Sequence, residues 1–195
     1  MKELVFLLEE ESAKAMLESL LPRFLHPEIH LRLISFEGKQ DLEKQMVKRL
    51  RNFVNPYARF IVLRDQDSAP NCITLKARLT ERCVQSGQAD KTLVRITCTE
   101  LETYYLADLL AVEQALELTK LSRKQGAAKF RNPDHLSNPS KELTTLTQGK
   151  YQKISGSRLI GKFLDPRNER SPSFKNLVKG IRRMEDELLA LPNIQ

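Results

Sequence analysis

Tryptophan is absent from this 195-residue chain, cysteine and histidine occur only three times each, and glycine only seven times. Each scarcity removes a class of protein. Cys72, Cys83 and Cys98 are odd in number, widely spaced and without a histidine cluster, so neither a disulfide framework nor a zinc site is indicated. They read as reduced, partly buried thiols. His26, His30 and His135 are scattered, with no spacing that suggests a ligand pair or a catalytic relay. Gly38-Lys39 lacks the upstream glycine and the following Ser or Thr of a phosphate-binding loop, and reads as a turn from a strand into a helix. Long apolar runs are missing too. Leu4–Leu8 spans five residues, against the roughly 20 that a membrane helix needs. Glu9, Glu10 and Glu11 stop that run at once and no small-residue cleavage site follows, so it does not read as a signal peptide. The expectation is a cytoplasmic protein with no membrane partner.

What is present is charge, unevenly divided. The net charge is +7. Residues 1–110 carry sixteen basic and sixteen acidic side chains, whereas 111–195 carry sixteen basic and nine acidic. The surplus lies wholly in the second part. This predicts a site-bearing core over 1–110 and a basic helical extension over 111–195, packed on the core and able to attract polyanions. A solvated basic face without any partner is the plainer alternative.

Alternation and helical spacing divide the first part into four strand-then-helix units. Strands are predicted at Leu4–Leu8, Ile29–Phe36, Arg59–Leu63 and Leu93–Cys98. Helices follow at Ser12–Leu21, at Gln40–Val54 with Leu42, Met46, Leu50, Phe53 and Val54 on one face, at about Asn71–Gln85, and around Leu101–Val112. Such an order implies an α/β fold whose mostly parallel sheet is covered on both faces. Beyond it, Glu113–Lys124 can continue as helix and Gln125–Pro139 reads as a surface loop. Shorter helices are expected near Lys141–Thr147 and Ser157–Phe163. The last helix has Phe174, Leu177, Val178, Ile181, Met184 and Leu188 at helical spacing, and Lys175, Lys179, Arg182 and Arg183 on its other face.

Parallel sheets present their ligands beyond the carboxyl ends of the strands. Those ends are acidic here. Glu9 follows the first strand, Asp65 and Asp67 the third, and Glu100 and Glu102 the fourth. Carboxylates that converge repel one another unless a cation neutralises them, and oxygen-only donors favour magnesium or manganese. Structural alternatives stand beside this reading. Asp67, before Ser68 and Pro70, fits a turn or helix cap; Thr99 with Glu102 fits a capping box; Glu9 to Glu11 suit the positive end of a helix. Tyr104 and Tyr105, in an apolar helix, read as core.

A glutamate directly after the first strand (ELVFLLEEES) and an Asp-x-Asp after a later one (Asp65-Gln66-Asp67) resemble the signature of the Toprim fold, the catalytic fold of topoisomerases, bacterial primases and the overcoming-lysogenization-defect nucleases. More closely, VFLLEEESAK, FEGKQDLEK, FIVLRDQDS, ITCTELETYYLADLLAV and YQKISGSRLI are similar to a bacterial family of small stand-alone Toprim-like proteins associated with defence islands, in some cases beside an ATPase. The resemblance implies a Toprim-like, four-stranded, mostly parallel α/β core with a helical carboxyl-terminal extension. It also implies a magnesium- or manganese-dependent nuclease acting on DNA or RNA, with a phage-defence role and an ATPase partner. Asp65 and Asp67 would hold the metal, Glu9 would be a ligand or general acid/base, and Glu102 would complete the site. Many Toprim proteins carry glycine after the motif glutamate; Glu10 stands there in this chain, so either Glu9 or its neighbour is the functional acid. Lys153, with Arg158 nearby, would stabilise a phosphate, and Lys175, Lys179, Arg182 and Arg183 would contact nucleic acid. The competing expectations are a non-catalytic module that binds nucleic acid or a partner and keeps a structural or regulatory metal, and an Asp65 phosphotransfer enzyme.

Overall fold

Six consecutive buried residues, Glu3–Leu8, form the first strand, β1, and their burial on both faces marks it as central. The computed structural model describes residues 1–67 and 69–192; Ser68, and the last three residues, lie outside the described residues. With β2 (His30–Ser35), β3 (Ala58–Asp65) and β4 (Thr92–Thr97), β1 makes one parallel sheet in the order β2-β1-β3-β4. The α/β core expected from the element order is therefore the fold observed.

Alternation along β1 feeds two cores. Leu4, Phe6 and Leu8 meet Met16, Leu17 and Leu20 of α1 (Glu11–Leu20), whereas Val5 and Leu7 meet Leu42, Met46 and Leu50 of α2 (Lys39–Arg51) and Leu75, Leu79 and Cys83 of α3 (Cys72–Ser86). Tyr104 and Tyr105, in α4 (Glu102–Leu106), are fully buried in the first core, as expected. The three cysteines are free, and Cys83 is buried. Helices α5 (Leu109–Ala115), α6 (Pro139–Leu146), α7 (Lys153–Gly161) and α8 (Pro172–Leu189) complete the chain. α7 packs along α1, and α8 packs on β4, β3 and β1. A helix that covers the sheet is thus supplied from the far end of the sequence.

Four of the departures from the expected boundaries have a local reason. α2 ends at Arg51, where the Phe53 N–H turns back onto Leu50 O at 3.2 Å, and Val54 is 95% exposed outside it. The helix expected over Leu101–Val112 is two, broken where Asp108 accepts the Ala111 N–H at 3.2 Å and caps α5. Helix does not continue to Lys124, since Glu117 and Lys120 take left-handed φ values of 51° and 64°. α7 begins at Lys153, four positions before the expected Ser157. Its weak signal comes from Gly156, where an added Cβ would lie 2.6 Å from the Tyr151 ring.

Candidate active site

Strand register builds the site. β1 stops pairing at Leu8↔Leu63, while β3 runs on to pair Asp65 with Thr97. Glu9 extends the ladder by another means: its N–H donates to Leu63 O at 3.3 Å, and its Oε2 accepts the Asp65 N–H at 3.1 Å. The carboxylate after the first strand therefore sits against the mouth of the third. Of the two candidates, Glu9 faces Asp65, while Glu10 pairs with Lys153, Oε2 to Nζ, at 2.7 Å.

Asp65 Oδ2 accepts the Leu101 N–H at 3.0 Å, which joins the end of β3 to the start of α4. Two residues on, Asp67 is left-handed, with φ 51°, and its N–H donates to Thr99 O at 2.8 Å. Asp67 is not the cap of α3; Asn71 is, accepting the Ile73 N–H at 2.7 Å. Nor do Thr99 and Glu102 form a capping box. Thr99 has φ 64° and its hydroxyl donates to Leu136 O, while Glu102 is 1% exposed and its Oε1 accepts the Tyr151 O–H at 2.9 Å. Glu100 turns aside to accept the Ser140 N–H at 2.8 Å at the start of α6.

The electrostatics follow from this crowding. Asp65 keeps some accessible surface, but neighbouring atoms enclose its carboxyl. Burial, then the charges of Glu9 and Glu102, hold it well above the usual aspartate range, against the lowering effect of the Leu101 N–H. Glu9 is raised by burial and by Asp67, and restrained by the Asp65 N–H and Arg64. Glu102 is raised by burial, with its own N–H, Tyr151 and Lys153 opposing. Burial acts to lower Lys153, yet Glu10, Glu102 and Asp65 outweigh it and its ammonium is strengthened. Asp67, Glu9, Asp65 and Glu102 thus make a row of acids whose mutual repulsion is only partly offset.

Donor chemistry fits a hard divalent ion, being all oxygen and short of positive charge. Among the described residues, however, no group of three or more His, Cys, Asp or Glu side chains stands ready-made to hold a metal. One oxygen of each acid is engaged elsewhere, by Asp65 N–H, Leu101 N–H, Tyr151 O–H or the Lys39 ammonium. Replacing Tyr151 by Phe removes the donor from a buried carboxylate. The expected cost is about 1–2 kcal/mol of unfolding free energy, measured by urea denaturation.

Lysine 153 joins the acids, but the other expected basic residues do not. Arg158 pairs with Glu18 on α1. Lys175 pairs with Glu169 at 2.6 Å, Arg183 with Glu187 at 3.0 Å, and Lys179 is exposed on α8. Arg182 pairs with Glu185 at 2.8 Å and lies over the Phe24 ring. α8 runs from the site edge, where Phe174 meets Tyr104, to the opposite edge, where Lys2 Nζ bonds Leu189 O at 3.1 Å. Arg182 and Arg183 therefore lie towards the strand starts.

Three contributors were not singled out from sequence. Buried Arg64 sits with Nε 4.0 Å from Glu9 and 3.5 Å from Glu43, and its Nη1 donates to Asp65 O at 3.0 Å. Its signal was available, as an arginine at an inward position of an apolar strand. Lys39 lies 3.2 Å from Asp67, and Tyr151 holds Glu102 from 49 positions away, a pairing with no local signal.

A family model described as a domain of unknown function (DUF4276) matches residues 8–182. No curated protein matches the chain. Among solved structures, the chain is similar to the C-terminal region of the Burkholderia pseudomallei OLD protein, with a TM-score of 0.55 and 13% identity over 96% of this chain and 98% of that one. The likeness is one of fold, and it agrees with the Toprim-like α/β architecture read from the sequence.

Proposed function

The chain belongs to the DUF4276 family, and we propose that it is a magnesium- or manganese-dependent nuclease that hydrolyses phosphodiester bonds of DNA or RNA. One observation carries this reading: the Asp65 carboxyl is enclosed between the charges of Glu9 and Glu102, with the Lys153 ammonium beside them. Glu9, Asp65, Asp67 and Glu102 would hold the ion, which supplies Lewis-acid charge to the phosphoryl oxygens when bound. Lys153 would offset charge that grows on the phosphate, since its ammonium stays protonated in this surrounding. Glu9, raised above the usual glutamate range by burial and by Asp67, is the acid of the row that would exchange a proton with the attacking or leaving oxygen. Arg64 would act through Glu9 as a positioning residue.

Lys179, Lys175, Arg158, Arg182 and Arg183 are proposed as weaker nucleic-acid contacts, because most are already ion-paired. A place in phage defence, an ATPase partner and a cytoplasmic location belong to the same proposal. Among the described residues no helix is long and apolar enough to cross a membrane. The alternative is a non-catalytic nucleic-acid- or partner-binding module, favoured by the lack of a ready-made ligand group among the described residues.

Cleavage of single- and double-stranded DNA and RNA, with and without magnesium or manganese, tests the proposal. Metal-dependent cleavage is expected, falling at least about a hundredfold in Asp65→Ala and Asp67→Ala. Equal cutting by these variants without metal would overturn it.

A further inference from the structure

Gly38 and Lys39 form the turn expected of them, and the turn has a second use. Gly38, at φ 95°, donates its N–H to Glu9 O at 2.9 Å, which fastens the start of α2 to the residue at the centre of the acidic row. Lys39, the first residue of α2, then reaches the outer end of that row, with Nζ 3.2 Å from Asp67 Oδ2. A lysine therefore stands at each end, Lys39 on Asp67 and Lys153 on Glu10. The two pairs are not equivalent. Lys153 is held by an acid outside the row, so an ion bound to the row leaves its partner untouched. Lys39 is held by a member of the row, the same Asp67 whose charge bears on Glu9.

We propose that Lys39 is a placeholder cation. It neutralises Asp67 in the metal-free protein, competes with the divalent ion for that carboxylate, and turns to a phosphate of the nucleic acid once the ion has taken Asp67. This rests on reading the acidic row as a metal-dependent phosphodiester site. Its physical basis is simple. The ammonium is a point charge on a flexible four-carbon stem, and at 45% side-chain exposure its pair with Asp67 is screened and weak enough to exchange. An ammonium released at the rim of a site that receives a polyanion gains a phosphate partner at little cost in reach.

The test uses the full chain and its Lys39→Met and Lys39→Arg variants. Manganese affinity is read from the electron paramagnetic resonance signal of the free ion, and binding of single-stranded DNA and RNA oligonucleotides is followed against salt in calcium. Lys39→Met is expected to bind manganese about three- to tenfold more tightly, while Lys39→Arg, which keeps the charge, stays near the parent. The same Met variant is expected to bind oligonucleotide several-fold more weakly, with a salt slope shallower by about 0.7. Unchanged or weakened manganese affinity in Lys39→Met overturns the proposal, as does an unchanged salt slope or the absence of oligonucleotide binding. If neither the parent nor Lys39→Met binds manganese, the metal site itself falls; if the parent binds and Lys39→Met is identical, only the placeholder falls.

Discussion

Asp65→Asn is expected to stabilise the metal-free protein at neutral pH and to abolish its response to magnesium. In the folded state Asp65 is held well above 3.8 by burial and by Glu9 and Glu102. The sign follows from linkage. Below the unfolded value the side chain is neutral in both states and costs nothing. As pH rises past that value the unfolded chain releases its proton while the folded chain retains it, so stability falls by about 1.4 kcal/mol per pH unit until the folded group also ionises. Asn carries no such cost and still offers an oxygen to the Leu101 N–H. Urea unfolding in chelator from pH 3.5 to 8 should give superimposable stabilities at the acid end and a widening gap in favour of Asn above it. Millimolar magnesium should raise the parent and leave Asn unchanged, because a ligand that binds only the folded form stabilises it by mass action. A parent protein whose stability tracks that of Asn across the whole range would refute the crowded-carboxylate description.

Gly161→Val is expected to cost about 3 kcal/mol, the upper end of the usual overpacking range. A Cβ at this position would lie 2.5 Å from Met16 O and 3.1 Å from Ser19 Cβ. The obstacle is a backbone carbonyl of α1, which cannot rotate aside, so α7 must move away. Lys153 heads α7 and reaches Glu10 at the start of α1, so the displacement would carry the ammonium from the acids as well. Gly126→Val is the matched control, since nothing lies within 4 Å of its would-be Cβ. Thermal unfolding should show a fall of several degrees for the first and almost none for the second. Equal melting temperatures would mean that α1 and α7 are not clamped at this glycine.

The first half of the fold was legible because its signals are local. Apolar runs such as Leu4–Leu8, closed by charged residues, announce buried parallel strands whose ends share an edge, and this was enough to bring Glu9 and Asp65 together. Signals failed where a distant partner decides. Glu102 has the spacing of a capping box with Thr99, but the Tyr151 hydroxyl, 49 positions away, decides its place. Lys39 carries no signal of a phosphate loop, and its position depends on the Glu9 carbonyl that fixes Gly38. Charge on α8 suggested a binding face, but acids three and four positions along the helix already engage Arg182 and Arg183.

All four acids of the row lie within the first 102 positions, whereas Tyr151 and Lys153 come some fifty residues later. During synthesis the carboxylates therefore leave the ribosome well before the hydroxyl that secures Glu102 and the ammonium beside Asp65. α8, which closes over the sheet, emerges later still. A nascent chain thus carries its acids beside an uncovered sheet face until α8 has been made.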